Sequence, residues 1–134
     1  MITKNIIYSD FDITFRKNAL TGDVIRKNNA DDIRQSLAIL LNTRFYDRVW
    51  HPEIGSYVPD LLFNQDDAYI KEIIKDQVVR LITSYEPRVT LDDVWVGHAN
   101  KGDVEIGKVT IMISYTINVL NYKDTYIYTI TRLR

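Results

Sequence analysis

Residues 109–119 run Val-Thr-Ile-Met-Ile-Ser-Tyr-Thr-Ile-Asn-Val, which is the most regular pattern in the chain. Large apolar side chains occupy every second position: Val109, Ile111, Ile113, Tyr115, Ile117 and Val119. Successive side chains of a strand point to opposite faces, so a period of two predicts a long strand with one buried face.

Two further strands are predicted beside this one. Residues 89–96 contain Val89, Leu91 and the run Val94-Trp95-Val96, and a polar segment with three glycines, 97–107, follows them. After a turn at 121–124, residues 125–133 place Tyr126, Tyr128 and Ile130 on one face. Three strands joined by short polar turns predict an antiparallel C-terminal sheet.

Two amphipathic helices are predicted before this sheet. In the first, Asn29 is the expected N-cap, and Asp31 and Asp32 lie in the first turn, where the helix dipole favours anions. Its apolar stripe is Ile33, Leu37, Leu40 and Leu41, and it should fade near residues 42–43. Asn64 or Asp66 is expected to cap the second helix, whose apolar face is Ile70, Ile73, Ile74, Val78, Leu81 and Ile82. This helix must end before Pro87, since proline disfavours helical geometry in the residue before it.

The N-terminal segment predicts a hairpin. Phe11, Ile13 and Phe15 alternate with polar residues, which indicates a half-buried strand; residues 18–23 are a turn and 24–26 a returning strand. Residues 44–60 predict a structured loop. Residues 1–134 are thus expected to form one α+β domain, with an N-terminal hairpin and two amphipathic helices packed on a mostly antiparallel C-terminal sheet.

Composition excludes several classes of function. The formal net charge of −1 provides no long-range field for nucleic acid or an anionic membrane. The basic pairs Arg16-Lys17 and Arg26-Lys27 are interpreted as solvated strand or turn positions. The chain has no cysteine, which excludes a disulfide scaffold, a cysteine-based zinc site and a thiol nucleophile. No signal peptide is expected, and no apolar run approaches the ~20 residues of a membrane span.

Three weak motifs are better explained by structure than by chemistry. Residues 102–108 nearly match a phosphate-binding loop, but Val109 follows where Ser or Thr is needed, so a hairpin turn is favoured. His51 and His98 lack metal-ligand spacing, so no metal or cofactor is predicted. Glu53 and Glu86 could form a glycosidase pair only if one carboxyl had a raised pKa and the separation were suitable. Structural roles are favoured for both, so no catalytic residue is assigned and the chain is predicted not to be an enzyme.

The segment Tyr85-Glu86-Pro87-Arg88 lies where the second helix gives way to a strand. Pro87 keeps Glu86 extended, so the Glu86 and Arg88 side chains should project to the same side of a stiff corner. Two interpretations are equally open. One is a local ion pair, which contributes little if exposed. The other is a docking fork, because arginine offers paired donors and often anchors interfaces.

Taken together, the motifs resemble the baseplate-wedge, sheath-initiator family of contractile phage tails, which has relatives in type VI secretion and other contractile injection systems. The similarity extends over nearly the whole chain: residues 8–12, the turn 21–23, Ile33, Ser36, Leu40, Leu41 and Thr43 of the first helix, Arg48, 52–55, 61–63, and the Glu-Pro-Arg corner at 85–89. The chain departs from the family at 45–47, where a glycine is usual, at Ile54, which replaces an aromatic residue, and at Asn64, which replaces an acidic one.

The resemblance implies a structural role in the tail baseplate of a virion assembled in the host cytoplasm. Glu86, Pro87 and Arg88 are implied to contact the core helical bundle of the wedge. The C-terminal sheet, with Tyr126, Ile127, Tyr128, Thr129 and Ile130, is implied to start the sheath by strand exchange with the tail sheath protein. The implied partners are therefore other wedge subunits, the sheath protein and the tail tube, without nucleic acid or membrane. The alternatives are a peptidoglycan-cleaving, lysozyme-like glycosidase using Glu53 and Glu86, and the equivalent subunit of a type VI secretion baseplate.

Overall fold

The computed structural model describes residues 6–61, 68–98, 100 and 107–131. Along the chain its elements are β1 (Ser9–Phe11), β2 (Arg26–Asn28), α1 (Ala30–Asn42), α2 (Val58–Leu61), α3 (Ala68–Tyr85), β3 (Val89–Gly97), β4 (Lys108–Ile117) and β5 (Tyr122–Thr131). The predicted α+β class is confirmed. Within the described ranges, no helix is both long enough and apolar enough to cross a lipid bilayer.

Strand β4 is the centre of the fold. It pairs antiparallel with β3 on one side and β5 on the other, so the sheet order is β3-β4-β5. The predicted inner face of β4 is fully buried, since Ile111, Ile113, Tyr115 and Ile117 are each 0% exposed. Helices α1 and α3 cover this face with the apolar stripes predicted for them, including Ile33, Leu37, Leu41, Val78 and Ile82.

The hairpin strands predicted at 11–15 and 24–26 are displaced to β1 and β2, and three further bounds differ from the prediction. Strand β4 ends at Ile117 and β5 already begins at Tyr122, because Asn121 adopts a left-handed conformation (φ 47°) that closes a four-residue turn. Val119 therefore lies in the turn and is 61% exposed. Helix α2 was not predicted and falls within the expected loop; its Val58 is completely buried.

Some predictions concern residues outside the described ranges. Both candidate caps of the second helix, Asn64 and Asp66, lie there, as do residues 102–106 of the phosphate-loop-like segment and 132–133 of the last strand. The end of that segment is described: Gly107 has φ 66°, and Lys108 begins β4 opposite Thr131. Because β3 and β4 are antiparallel neighbours, the segment 98–107 connects a hairpin, as predicted.

The N-terminal hairpin is confirmed, but its burial pattern is the reverse of the prediction. Strand β1 pairs antiparallel with β2, and the chain leaves the ladder after Phe11. Phe11, Ile13 and Phe15 are 49%, 59% and 69% exposed, whereas Asp12 is only 2% exposed. The cause is a polar turn: the Asp12 carboxylate accepts hydrogen bonds from the Thr14 amide (2.9 Å) and the Thr14 hydroxyl (2.7 Å).

The Asp12 carboxylate also organises the neighbouring basic residues. Arg16 lies 3.2 Å and Lys27 lies 3.7 Å from its Oδ2 atom. The hydrogen bonds from Thr14, together with these two cations, hold the pKa of Asp12 well below its usual range. The guanidinium of Arg26 lies over the Phe11 ring, 5.5 Å from its centroid. The basic pairs thus pack on the hairpin itself.

Asn29 precedes α1 as predicted, but its side chain does not cap the helix. Its amide oxygen instead accepts hydrogen bonds from the Ile7 amide (2.9 Å) and the Tyr8 amide (3.2 Å). Asn29 therefore joins the segment before β1 to the beginning of α1.

The contrast between the hairpin and the sheet can be tested with one substitution at two isoleucines. Ile113→Ala should lower the free energy of unfolding by ~3 kcal/mol, because it leaves a cavity in a close-packed core. Ile13→Ala should change it by less than ~0.5 kcal/mol, because the side chain is mostly exposed. Urea unfolding followed by circular dichroism measures both values. A loss for Ile13→Ala comparable to that for Ile113→Ala would show that the hairpin residues are buried after all.

Candidate functional sites: the α3–β3 corner and the open sheet edge

The corner between α3 and β3 holds a buried ion pair. The Glu86 amide continues the helix by donating to the Ile82 carbonyl (2.9 Å), and Pro87 then ends it. The Glu86 side chain points inward and is 2% exposed. Arg88 donates two parallel hydrogen bonds to the Glu86 carboxylate, from Nε to Oε1 at 2.6 Å and from Nη2 to Oε2 at 2.8 Å. The local ion pair, one of the two predicted alternatives, is thus present, and it is buried.

The same pair binds helix α1. The Ser36 hydroxyl donates to Glu86 Oε2 at 2.6 Å, and Arg88 Nη1 donates to Asp32 Oδ2 at 2.8 Å. The Arg88 guanidinium also lies over the ring of Tyr8, 5.2 Å from its centroid. One arginine therefore joins the corner, α1 and the segment before β1. The hydrogen bonds of Asp32 and Ser36 to the corner were not predicted, although their spacing of four residues places both side chains on one face of α1.

The protonation states follow from these contacts. Burial alone would raise the pKa of Glu86, but the hydrogen bonds from Arg88 and Ser36 and the charge of Arg88 outweigh it. The pKa of Glu86 is therefore lower than that of an ordinary glutamate, and the pKa of Arg88 is raised by the same contacts. Both groups are charged at neutral pH.

A polar groove with a volume of about 510 Å³ adjoins the corner. Arg88 and Tyr85 line one side, Ser36 and Ile39 of α1 line another, and Arg48 comes from the loop after α1. The Arg88 side chain is 26% exposed, so part of its guanidinium is accessible. The groove thus offers two arginine side chains, hydroxyl and carboxylate groups and several apolar side chains to a partner.

The pKa shifts do not support the alternative of a glycosidase pair formed by Glu53 and Glu86. The pKa of Glu53 is lowered by its own backbone amide and by His51, whose Nδ1 lies 3.1 Å from its carboxylate. The pKa of Glu86 is lowered as well. A glycosidase needs one carboxyl that stays protonated at working pH, and neither of these does. The described residues also contain no cluster of three or more histidine or acidic side chains that would hold a metal ion.

The second candidate site is the outer edge of β5, which pairs with β4 alone within the described residues. The Asn118 amide donates to the Arg88 carbonyl (3.1 Å), so even-numbered residues of β4 direct their backbone groups toward β3. The backbone groups of odd-numbered β4 residues must then bond to β5. Ile111 lies opposite Tyr128, so the even-numbered residues of β5 are the ones that bond to β4. The backbone groups that face the open edge belong to Lys123, Thr125, Ile127, Thr129 and Thr131.

Helix α1 holds β5 in place at two points. Arg34 forms a paired interaction with Asp124, at 2.8 and 2.6 Å, and Asp124 also accepts a hydrogen bond from the Tyr115 hydroxyl (3.0 Å). The Tyr128 hydroxyl donates to Asn42 Oδ1 at 2.7 Å. Eight helical residues span ~12 Å and four strand residues span ~13 Å, so α1 runs parallel to β5 between these contacts.

The two edges of the sheet differ in their chemistry. Strand β3 has a bulge between Leu91 and Asp93, and Asp92 and Asp93 lie side by side there. A bulge and charged side chains both hinder the addition of another strand. Strand β5 pairs with β4 without a register shift over Tyr122–Thr131, and residues 125–131 carry no charge.

A fold that offers a fixed corner, an accessible groove and a regular open edge is suited to a subunit of a protein assembly. Residues 27–122 match the family of baseplate wedge protein gp25. The chain therefore belongs to the baseplate wedge protein gp25 family, whose members are structural components of contractile-tail baseplates. No curated protein matches the sequence significantly.

Several solved structures share the fold. A protein of Geobacter sulfurreducens that carries the provisional name tail lysozyme is 24% identical, with a TM-score of 0.66 over 77% of this chain and 90% of that one. A chain of the anti-feeding prophage baseplate is 19% identical, with a TM-score of 0.64 over 91% and 83%. A chain of the postcontracted pyocin R2 baseplate is 18% identical, with a TM-score of 0.52 over 88% and 98%.

Removal of Arg88 should destabilise the fold. In Arg88→Ala the buried carboxylate of Glu86 loses its cation, and breaking a buried pair in this way costs ~3 kcal/mol. The matched control is Arg80→Ala, because Arg80 and Asp76 form an ion pair on α3 whose side chains are 73% and 58% exposed. This variant should lose less than ~1 kcal/mol. Equal losses in urea unfolding would contradict the structural role of the corner.

The pH dependence of stability should report on Glu86. Its pKa is lower in the folded state than in the unfolded state, where a glutamate titrates near ~4.3. The ion pair therefore stabilises the fold above that pH and is lost as the pH falls through the folded-state value. Glu86→Gln should be less stable at pH 7 and should lose less further stability on acidification. The remaining slope comes from the other carboxyls with lowered pKa values, which are Asp12, Glu53 and Asp124. Parallel curves for parent and variant between pH 7 and pH 3 would contradict this.

Proposed function

We propose that this chain is a baseplate wedge subunit that docks on the core helical bundle of the wedge through the corner groove, and that it starts sheath assembly by accepting a strand at β5. It would act in the tail baseplate of a virion assembled in the host cytoplasm, next to the tail tube. The observation that carries the proposal is the open edge of β5, which is regular, uncharged from Thr125 to Thr131 and held by α1.

The edge has the properties needed for strand addition. Affinity in this mode comes from unpaired backbone donors and acceptors, and specificity comes from alternating side chains. The outward-facing residues of β5 supply the donors and acceptors. The contacts Arg34–Asp124 and Asn42–Tyr128 order the strand in advance, which lowers the entropy cost of binding.

The groove has the properties needed for docking a helix. Its walls come from α1, the corner and the following loop, so a partner there would contact parts of the chain that the Glu86–Arg88 pair holds together. Glu86 and Pro87 then position Arg88, which is the member of the motif with accessible donors. The Glu-Pro-Arg motif would therefore have both a structural role and a binding role.

We infer that the chain has no glycosidase activity, because Glu53 and Glu86 both have lowered pKa values. The name tail lysozyme belongs to one structural neighbour of 24% identity. The equivalent position in a type VI secretion baseplate is the second candidate. The neighbours from pyocin and the anti-feeding prophage favour a contractile particle of the phage-tail kind, and the identity of the adjacent genes separates the two cases.

Docking at the groove predicts a binding defect without a folding defect. Arg48→Glu reverses an exposed charge on the groove wall, so it should weaken co-purification of the wedge helical-bundle protein by about tenfold while the melting temperature changes little. Arg80→Glu makes the same change on the exposed face of α3, away from the groove, and should bind like the parent. Equal binding by both variants would show that the bundle binds elsewhere.

Strand addition predicts opposite effects of proline at adjacent positions. Thr129→Pro removes an outward N–H, so the subunit should stay folded but fail to nucleate sheath rings. Tyr128→Pro removes a donor to β4 and should destabilise the sheet itself, by ~3 kcal/mol or more. Thr129→Val keeps the N–H and is the matched control, with normal rings expected. The readout is electron microscopy of short rings formed with the sheath protein, and normal rings from Thr129→Pro would rule out strand addition at this edge.

A further inference from the structure

A row of large apolar side chains crosses the outer face of the sheet, which is the face turned away from the helices. The strand registers pair Trp95 with Met112 and Met112 with Ile127, so the three side chains lie side by side across β3, β4 and β5. They are 42%, 37% and 58% exposed. The rows on either side carry small or polar residues instead: Asp93, Ser114 and Thr125 on one side, and Gly97, Thr110 and Thr129 on the other.

The two ends of the row differ. At β3 the Trp95 ring lies over Gly97, so close that a Cβ atom on Gly97 would be 2.8 Å from the ring. The ring thus packs on the next row along β3. At β5 the row ends with Ile127, whose outer flank faces the open edge. Ile127 is accordingly the most exposed of the three.

A charge lies on the same edge and the same face. Lys123 stands four residues before Ile127, and its side chain is exposed on the outer face. Within the described residues, no carboxylate forms an ion pair with it. Directly opposite side chains on paired strands stabilise each other when they are apolar or oppositely charged. The edge therefore presents an apolar position and a positive position at a fixed spacing.

We propose that Ile127 and Lys123 set the register of the incoming strand, an inference that rests on the strand-addition function proposed above. The strand that fits carries a large apolar side chain opposite Ile127 and a carboxylate opposite Lys123, four residues apart on one face. The apolar residue extends the row and covers Ile127, while the carboxylate pairs with the ammonium group. A slip of one residue would turn both side chains to the inner face, and a slip of two residues would place neither side chain opposite its match, so the match selects a single register.

A second copy of this chain fits the edge less well. Two β5 strands could also pair antiparallel with Ile127 opposite Ile127. Lys123 of one strand would then lie opposite Thr131 of the other, because both residues are four positions from Ile127. The apolar row would be continuous, but each Lys123 would lack a carboxylate. The edge thus favours a strand of different sequence.

The test compares variants that keep every backbone donor. Ile127→Thr and Lys123→Glu should each reduce the yield of sheath rings about fivefold, which is the upper range for one cross-strand pair. The matched control is Ile13→Thr, because Ile13 on the N-terminal hairpin is 59% exposed, close to the 58% of Ile127. It should form rings like the parent. In addition, the Ile127→Cys variant should form a disulfide with cysteines introduced along the sheath strand at one position only. That position should lie four residues from a carboxylate.

The outcomes separate this inference from the function on which it rests. If Thr129→Pro abolishes rings but Ile127→Thr and Lys123→Glu form them normally, strand addition stands and the register proposal is overturned. Normal rings from Thr129→Pro overturn the function itself. Cross-linking of Ile127→Cys at several sheath positions also overturns the register proposal. A stable dimer of the parent chain by light scattering that Thr129→Pro abolishes would identify a second copy as the occupant and overturn it as well.

Discussion

The buried ion pair between Glu86 and Arg88 determines how the helices sit on the sheet. The α3–β3 corner places both side chains toward α1, where Ser36 and Asp32 complete their hydrogen bonds. A charge buried without its partners is costly, so the arrangement is stable only when α1 occupies its observed position. Helix α1 in turn holds β5 through Arg34 and Asp124. Helix α1 therefore connects the corner to the open edge, which is on the opposite side of the sheet from β3.

Sequence alone predicted the parts of the fold that depend on hydrophobic periodicity. The period of two in β4 and the helical stripes of α1 and α3 are strong local signals, and burial follows them closely. The N-terminal hairpin was wrong in detail because a polar turn overrode the alternation. Asp12 has more hydrogen-bond donors around it than a strand would provide, so it became the buried residue and Ile13 was left exposed. Local side-chain hydrogen bonds of this kind compete with strand geometry and have no periodic signature.

At the α3–β3 corner, too, one part could be predicted from local sequence and another part depends on long-range contacts. The prediction that Glu86 and Arg88 project to the same side was made from extended geometry; the two side chains do meet, but Pro87 and Arg88 lie in a turn before β3. Their burial, and the contacts with Asp32 and Ser36, depend on residues fifty or more positions away and could not be derived from local pattern. The same long-range contacts decide the chemistry. A glutamate held by a bidentate arginine has its pKa lowered, which makes it a good structural anion and a poor general acid.

The two edges of the sheet differ in how well they are protected against pairing with another strand. Unpaired strand edges promote aggregation, and proteins usually block them with charges, bulges or short strands. Strand β3 has both a bulge and a pair of aspartates, so it is protected. Strand β5 is long, regular and uncharged beyond Asp124, and α1 supports its inner side while its outer backbone groups stay accessible. Since the backbone ladder accepts any strand, discrimination at such an edge must come from the side chains beside it. On the outer face of β5 those side chains are mostly threonines, which leaves Ile127 and Lys123 as the two positions able to distinguish one register from another.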